Sequence, residues 1–408
     1  MAAGSIKRFR DKLAALTTGL LAAGLLGPGL PSASAQPFQT IAPYALLMDA
    51  DSHTVLFEKA ADELMVPASM AKIMAVEVVF NELKQGRLSL DTEFVVSDNA
   101  WRKGGGPSGG SSMFAQLNSR IRLEDLLRGI IVQSGNDASI VVAEGIAGSE
   151  ENFARMMTRR ARELGLTKSV FRNSTGYHHP EQKVTARELA QLALHIIETY
   201  PNYYKMFGER DFTWNKIRQQ NRNPLLTMDI GADGLKTGMV DESGFGLVGS
   251  AVQNGQRLIV VVNGLKTGRD RANEARKLLD WGFRAFDSRQ LFGADEVIGY
   301  ASVFGGSPGS VPLVANKPVR LLTPRGSGSG DRVAARIVYT GPLKPPVRKG
   351  TAVARLRVTR GDVQALDLPL YAGADVESGS LPRRAVDGLL ELGTGLVRRG
   401  FARVAEGW

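Results

Sequence analysis

Three short pieces of the chain carry residue types suited to nucleophilic acyl transfer. The first is Ser69-Met70-Ala71-Lys72, preceded by Val66-Pro67-Ala68. Pro67 and Ser69 suit a helix start, and one turn puts Ser69 and Lys72 on the same face. A serine there has its hydroxyl near free backbone N–H groups and the positive end of the helix. The lysine one turn on can take the serine's proton only if its ammonium is deprotonated, which needs burial or a neighbouring cation. The second piece is Ser134-Gly135-Asn136, after the apolar run Ile130-Ile131-Val132. The third is Lys236-Thr237-Gly238, preceded by Gly231-Ala-Asp-Gly-Leu235 and followed by a glycine-rich strand. Singly, each has a plainer reading: a capping serine with a surface lysine, a helix cap, a turn with a solvated lysine. The ordered set S-x-x-K, S-x-N, K-T-G is far more specific than its members.

Leu235-Lys-Thr-Gly238 recurs as Leu265-Lys-Thr-Gly268, so the tetrapeptide alone does not choose the lysine. Context favours Lys236, which leads into a strand of a hairpin and can be held on a rigid sheet edge facing the Ser69 helix. Lys266 follows the end of a strand and precedes a helix, a connection where lysines are usually solvated.

The elements that must position these residues follow from periodicity. Tyr44 to Met48 and Thr54 to Phe57 read as short strands around a turn. Ser69 to Leu83 reads as a helix, with Ile73, Val76, Val79 and Phe80 on one face. Trp101 to Ser112 is a Gly/Ser-rich loop. Helical patterns follow at 123–131, 134–147, 150–164 and 186–200. Phe245 to Val252 and Arg257 to Val262 are strands joined at Asn254-Gly255, a strong hairpin signal. Glu274 to Phe286 is a helix that packs back on that hairpin. From about Asp295, short β-type runs (Val319 to Leu322, Ala335 to Tyr339, Ala352 to Val358) alternate with Gly/Pro turns, the pattern of a separate small β domain.

The composition sets outer bounds. The chain has 408 residues, 43% hydrophobic and 23% charged, with no cysteine and a net charge of +10. That excludes wholesale disorder, disulfides, thiolate catalysis and cysteine-ligated metal. Lys7, Arg8, Arg10 and Lys12 precede an apolar run from Leu13 to Leu30, which Gly27-Pro28-Gly29 breaks, and Ser34-Ala35 closes an A-x-A site. This predicts a secretory signal peptide over residues 1–35, cleaved after Ala35. Removing its four basic and one acidic residues leaves about +7. Export makes cytoplasmic nucleic acid an unsuitable partner. A basic surface suits an anionic polymer or membrane.

With the three motifs in order, the sequence resembles the low-molecular-mass penicillin-binding proteins, the serine-type D-alanyl-D-alanine carboxypeptidases of the bacterial envelope. The resemblance runs from about Ala42 to the C-terminus. It is strongest at Pro67 to Met74, Gln133 to Ala138, Arg218 to Asn223 and Asp233 to Gly238. It implies an α+β fold: a penicillin-recognising serine transpeptidase-like domain over 36–292, its antiparallel sheet flanked by helices, with the site in a groove between them. A small all-β domain (293–380) and a C-terminal amphipathic helix (381–408) would follow. It implies acyl transfer from the terminal D-Ala–D-Ala of a peptidoglycan stem peptide to Ser69 and then to water. Lys72 would be the base, kept neutral in part by Lys236. Ser134 would relay a proton to the leaving amine and Asn136 would hold the substrate amide. Lys236, Thr237 and Gly238 would line the carboxylate end, with Arg271 and Arg222 matching an arginine the family places there. The backbone N–H groups of Ser69 and Met239 would form the oxyanion hole. β-Lactams would acylate the serine. No cofactor or metal is called for. The protein would lie on the periplasmic face of the inner membrane, its tail on the anionic surface. One departure is Val240, where the family often has threonine.

Other readings remain at this stage. A class A β-lactamase shares the motifs but needs a glutamate-bearing loop ahead of K-T-G. The stretch around Glu188 reads as a helix start, and the β domain and tail are surplus to it. A zinc peptidase fits poorly, because His178 and His179 are adjacent and only His53 and His195 remain. A non-catalytic wall-binding module would have no use for the motif serines and lysines.

Overall fold

The computed structural model describes residues 38–325, 333–360 and 363–380. They fall into two compact units, one built from residues 38–50 and Val55–Ala285, the other from Phe286 onward. The expected leader and amphipathic tail lie outside the described residues.

The first unit begins with strands β1 (Tyr44–Asp49) and β2 (Val55–Lys59). A tight helical turn, Ala68–Ala71, carries Ser69 and leads into helix α1 (Lys72–Lys84). A small hairpin of β3 (Glu93–Val95) and β4 (Arg120–Arg122) brackets the Gly/Ser-rich segment. Helices α2 (Leu123–Ile131), α3 (Asn136–Ala147), α4 (Glu150–Glu163) and α5 (Ala186–Thr199) follow. Then come the hairpin β5 (Asp211–Trp214) and β6 (Ile217–Gln220), the long strands β7 (Ala232–Val240), β8 (Gly244–Gln253) and β9 (Gln256–Leu265), and helix α6 (Gly268–Ala285).

Five strands form one antiparallel sheet in the order β2-β1-β9-β8-β7, so β7 is an edge strand. Period-two alternation sends the side chains of the central strands into two separate cores. Leu46, Met48, Val248, Ile259 and Val261 pack with helices α1, α2, α3 and α5 on one face. Ala45, Leu47, Leu247, Leu258, Val260 and Val262 pack under Leu278 and Leu279 of α6 on the other. Because both faces are covered, β9 reads as a continuous apolar run instead of an alternating one.

Three helix boundaries differ from the periodicity. The helix expected from Ser69 begins as a tight turn and becomes α-helical only at Lys72, because Ala68 has φ +47° and fixes the entry. The helix expected from Ser134 begins at Asn136, because Ser134 has φ +65° and Gly135 is non-helical. The helix expected from Glu274 begins at Gly268. There the Thr267 hydroxyl accepts from the Asp270 N–H at 3.0 Å and donates to its carboxylate at 2.8 Å, an N-cap.

In the second unit, strands β10 (Phe286–Phe292) and β14 (Val319–Pro324) pair with each other. A five-stranded sheet runs β11-β13-β17-β16-β15, from β11 (Val297–Ser302), β13 (Ser310–Val314), β15 (Val333–Val338), β16 (Ala352–Arg360) and β17 (Val363–Ala372). The short β12 (Gly306–Ser307) pairs with β18 (Glu377–Ser378). Ile298, Val311, Leu313, Leu321, Leu356, Val358 and Leu370 form this unit's own core. It has the all-β character that the short runs and turns suggested.

Candidate active site

Ser69 is presented on a turn that two glycines allow to pack closely. A Cβ at Gly176 would stand 2.0 Å from the Ala68 carbonyl oxygen, and one at Gly238 would stand 2.8 Å from that of Pro67. Any larger residue at either position would push the Ser69 turn out of place. Ser69 itself is half-buried, whereas Lys72 is fully buried. One helical turn brings the Lys72 Nζ to 3.1 Å from the Ser69 Oγ, as the spacing predicts. The Nζ also donates to the Asn136 Oδ1 at 2.7 Å and to the carbonyl oxygen of Thr175. The Ser69 hydroxyl is 3.5 Å from the same Thr175 oxygen.

Asn136 opens helix α3, with its backbone N–H bonded to Ser111 O at 2.8 Å. Its Nδ2 donates to the Tyr177 hydroxyl at 3.0 Å, which donates to Lys103 O at 2.8 Å. The next residue, Asp137, is fully buried and anchors the glycine-rich segment. It accepts from the Ser112 hydroxyl at 2.7 Å and from the N–H groups of Met113 and Ala115 at 2.9 and 3.0 Å. That segment is not an open loop. It contains a wide helical turn, Ala100–Gly104, and a tight one, Gly106–Ser108. Ser134 is buried two residues before Asn136. Among the described residues, no hydrogen bond links its hydroxyl to Ser69 or Lys72.

Lys236 and Thr237 are buried in the edge strand β7, while Met239 is half exposed. The Lys236 Nζ donates to Thr237 O at 3.3 Å. Lys266 is exposed between β9 and α6, and its neighbour Thr267 caps α6, so the second Leu-Lys-Thr-Gly serves the helix. The root of β7 is fixed. Asp233 takes two bonds from Arg257, at 2.8 and 2.7 Å, and one from the Tyr204 hydroxyl at 2.7 Å. Asn223 Nδ2 donates to Gly234 O at 2.8 Å. Arg271, in the first turn of α6, is half-buried, with its guanidinium 5.7 Å from the Phe245 ring and its Nε buried without a partner. Arg222 is exposed, and its Nε donates to Gln133 O at 3.0 Å.

The protonation of the two buried lysines follows from this setting. Burial pushes Lys72 down to about 7, against the upward pull of Asp137 and Glu150, with Arg222 adding to the depression. Lys236, expected to help keep Lys72 neutral, is not among the groups that shift it; burial does so. Lys236 is held well below the ordinary lysine value, first by burial and then by the positive charges of Lys72, Arg222 and Arg271. Four basic side chains, Lys72, Lys236, Arg222 and Arg271, act on one another here, and the positive charge they share favours an anionic ligand.

Sequence motifs did not point to Thr175, Tyr177 or Asp137. Thr175 acts through a backbone carbonyl, which has no residue-type signature. Gly176, with φ +84°, was the available signal for a tight approach there. The glutamate that a class A β-lactamase reading would require is engaged elsewhere: Glu188 accepts from Lys168 N at 2.8 Å and from the Ser169 hydroxyl.

A serine beside a buried amine, on a turn packed against the edge strand of a helix-flanked sheet, is the arrangement of a serine hydrolase of the penicillin-recognising type. Comparison with known proteins agrees. The D-alanyl-D-alanine carboxypeptidase family pattern matches residues 31–267, and the pattern of the C-terminal domain of penicillin-binding protein 5 matches residues 286–378. D-alanyl-D-alanine carboxypeptidase DacC of Escherichia coli is 39% identical over 84% of this chain and 86% of its own length. The crystal structure of penicillin binding protein 5 from Haemophilus influenzae superposes with a TM-score of 0.72 at 35% identity. It covers 85% of this chain and 100% of that one. A penicillin-binding protein from Listeria monocytogenes in its ampicillin-bound form gives a TM-score of 0.55 at 26% identity, over 61% of this chain and 100% of that one. The chain belongs to the D-alanyl-D-alanine carboxypeptidase family of serine hydrolases, with the helix-and-sheet domain and C-terminal β domain of penicillin-binding protein 5.

Proposed function

We propose that Ser69 is the nucleophile through which this carboxypeptidase removes the terminal D-alanine of peptidoglycan stem pentapeptides. The observation that carries the assignment is the fully buried Lys72 amine, 3.1 Å from the Ser69 Oγ and depressed to about 7. A neutral amine at that distance can take the hydroxyl proton as the oxygen attacks the scissile carbonyl. Developing negative charge on the carbonyl oxygen is met by the N–H groups of Ser69 and Met239. Ser134 passes a proton to the leaving D-alanine amine, and Asn136 holds the substrate amide through its Nδ2. Lys236, Thr237 and Arg271 receive the terminal carboxylate, with Arg222 contributing at longer range. The buried, unpartnered Nε of Arg271 favours this role. Water then cleaves the ester and restores Ser69. A β-lactam enters the same sequence and leaves its opened ring on the serine.

The reading extends to place. Residues 1–35 direct export, and the arginine-rich sequence 383–404, with its interspersed apolar residues, is the segment that would bind the anionic face of the inner membrane. Among the described residues no helix is long and apolar enough to cross a membrane.

The test is covalent labelling by a fluorescent penicillin together with release of D-alanine from a pentapeptide, in wild type and Ser69→Ala. Loss of both in a folded variant is expected, and labelling that survives in Ser69→Ala overturns the assignment. Rapid loss of the label from wild type would point to a β-lactamase instead.

A further inference from the structure

The Tyr177 hydroxyl sits between the Asn136 Nδ2 at 3.0 Å and the Lys103 carbonyl oxygen at 2.8 Å. A carbonyl can only accept, so the phenol's one proton is committed to Lys103. Toward Asn136 the phenol presents lone pairs alone. Asn136 can meet it only with its NH2 group, and its carbonyl oxygen is thereby turned to the Lys72 Nζ, 2.7 Å away.

That orientation bears on the chemistry because an amide can flip. Against an ammonium, which only donates, the flipped amide would set donor against donor. Against a neutral amine it would not, since a neutral nitrogen has a lone pair that can accept from the NH2 of a flipped Asn136. With Lys72 depressed to about 7, the neutral amine is well populated near neutral pH, and charge alone does not hold the amide in place. A flipped Asn136 would occupy the lone pair that must take the Ser69 proton.

We infer that Tyr177 is a positioning residue for acyl transfer: its hydroxyl, committed as a donor to Lys103, locks the Asn136 amide so that Lys72 keeps its lone pair for Ser69. The inference rests on the roles proposed above for Lys72 and Asn136.

The acceptor that commits the phenol is itself held in place. Lys103 lies in the turn Ala100–Gly104, and its ammonium pairs with Glu150. The Glu150 carboxylate accepts from the Ser174 N–H and hydroxyl at 3.3 and 3.2 Å. Ser174 is followed by Thr175, whose carbonyl oxygen accepts from Lys72. The contacts close a ring from Lys72 through Asn136, Tyr177, Lys103, Glu150, Ser174 and Thr175 back to Lys72. Gly110 lies over the junction, where a Cβ would stand 3.2 Å from the Asn136 Nδ2.

Tyr177→Phe removes the hydroxyl and keeps the ring. The second-order rate constant for acylation by a fluorescent penicillin should fall about tenfold, the scale of one lost hydrogen bond near a reacting group. In an Asn136→Ala background, which has no amide to orient, Tyr177→Phe should have no further effect. Asn136→Ser serves if the alanine variant does not fold. The acidic limb of the rate should also move to lower pH, because a flipped amide favours the neutral amine. The charged groups that face Lys72, namely Asp137, Glu150, Arg222 and Lys236, are the same in both proteins. A wild-type rate in Tyr177→Phe overturns the inference. So does an equal loss in both backgrounds, the mark of a tyrosine that only packs. If Asn136→Ala itself acylates at the wild-type rate, the roles proposed for the site fail first, and this inference with them.

Discussion

Gly238 meets Pro67 backbone to backbone: a Cβ on the glycine would stand 2.8 Å from the proline's carbonyl oxygen and 3.2 Å from the Ala68 Cβ. Strand β7 and the Ser69 turn therefore share one contact whose thickness is set by a missing side chain. Gly238→Ala should separate the Met239 N–H from Ser69 and slow penicillin acylation by on the order of a hundredfold, the scale of a lost oxyanion donor. The melting temperature should fall by a few degrees, the overpacking cost of a Cβ set against backbone. Stopped-flow labelling beside a thermal melt measures both, and a wild-type acylation rate would refute the argument.

The two lysines of the repeated Leu-Lys-Thr-Gly should separate cleanly. Lys236 is buried in β7 among other cations, and Lys266 is exposed beside a helix cap. Lys236→Ala should slow acylation by roughly a hundredfold or more through lost charge stabilisation. Lys266→Ala should stay within a few-fold of wild type. Labelling rates of the two variants, compared side by side, decide the matter. A dead Lys266 variant would contradict the sheet register described here.

Acylation should rise with pH through about 7 and level off above, because the neutral form of Lys72 is the proposed base. A rate that fell across this range would remove Lys72 from that role.

Stability has its own pH dependence. Lys72 and Lys236 both titrate below the ordinary lysine value of 10.5 in the folded protein. For Lys72 the window runs from about 7 to 10.5, where the unfolded chain binds more protons than the native one and stability rises with pH; Lys236, depressed in the same direction, adds to the rise. Lys236→Met should raise the melting temperature at pH ~7 and flatten this rise while slowing acylation. Calorimetry at several pH values checks the sign. A less stable variant would mean that the buried amine is better compensated than its surroundings indicate.

Removing residues 383–408 should shift the protein from the membrane fraction to the soluble one. Unchanged fractionation would leave the arginine-rich segment without that role.

The motifs were legible where chemistry is local. Ser69 and Lys72 meet because one helical turn spans three residues, and Asn254-Gly255 marked the β8–β9 hairpin because only residues tolerant of positive φ can make so tight a turn. Strand β7 was harder to read. Its stretch Gly231 to Leu235 looks like a turn, yet the strand begins at Ala232. Gly234 is small because the Tyr204 hydroxyl would stand 2.6 Å from its Cβ, a contact made across 30 residues of sequence. The strands of the hairpins β3–β4 and β5–β6 are only three or four residues long, so the alternation in Arg120-Ile121-Arg122 and Asp211-Phe212-Thr213-Trp214 is too brief to stand out. Tyr177 was invisible for a similar reason, since both its partners are set by tertiary packing.

The bonds that Asp233 makes with Arg257 and Tyr204, and that Asn223 makes with Gly234, make β7 a beam clamped at its root. Gly238 resting on Pro67 is its fulcrum, and the hairpin tip from Met239 to Gly244 is an overhang. Compliance in such a beam belongs to the overhang. A bulky acyl group that needs room should bend the tip that carries the Met239 N–H, while the spacing of Lys236 from the Ser69 turn holds. With the roles proposed for Lys236 and Thr237, carboxylate recognition would thereby be mechanically insulated from variation in the rest of the ligand.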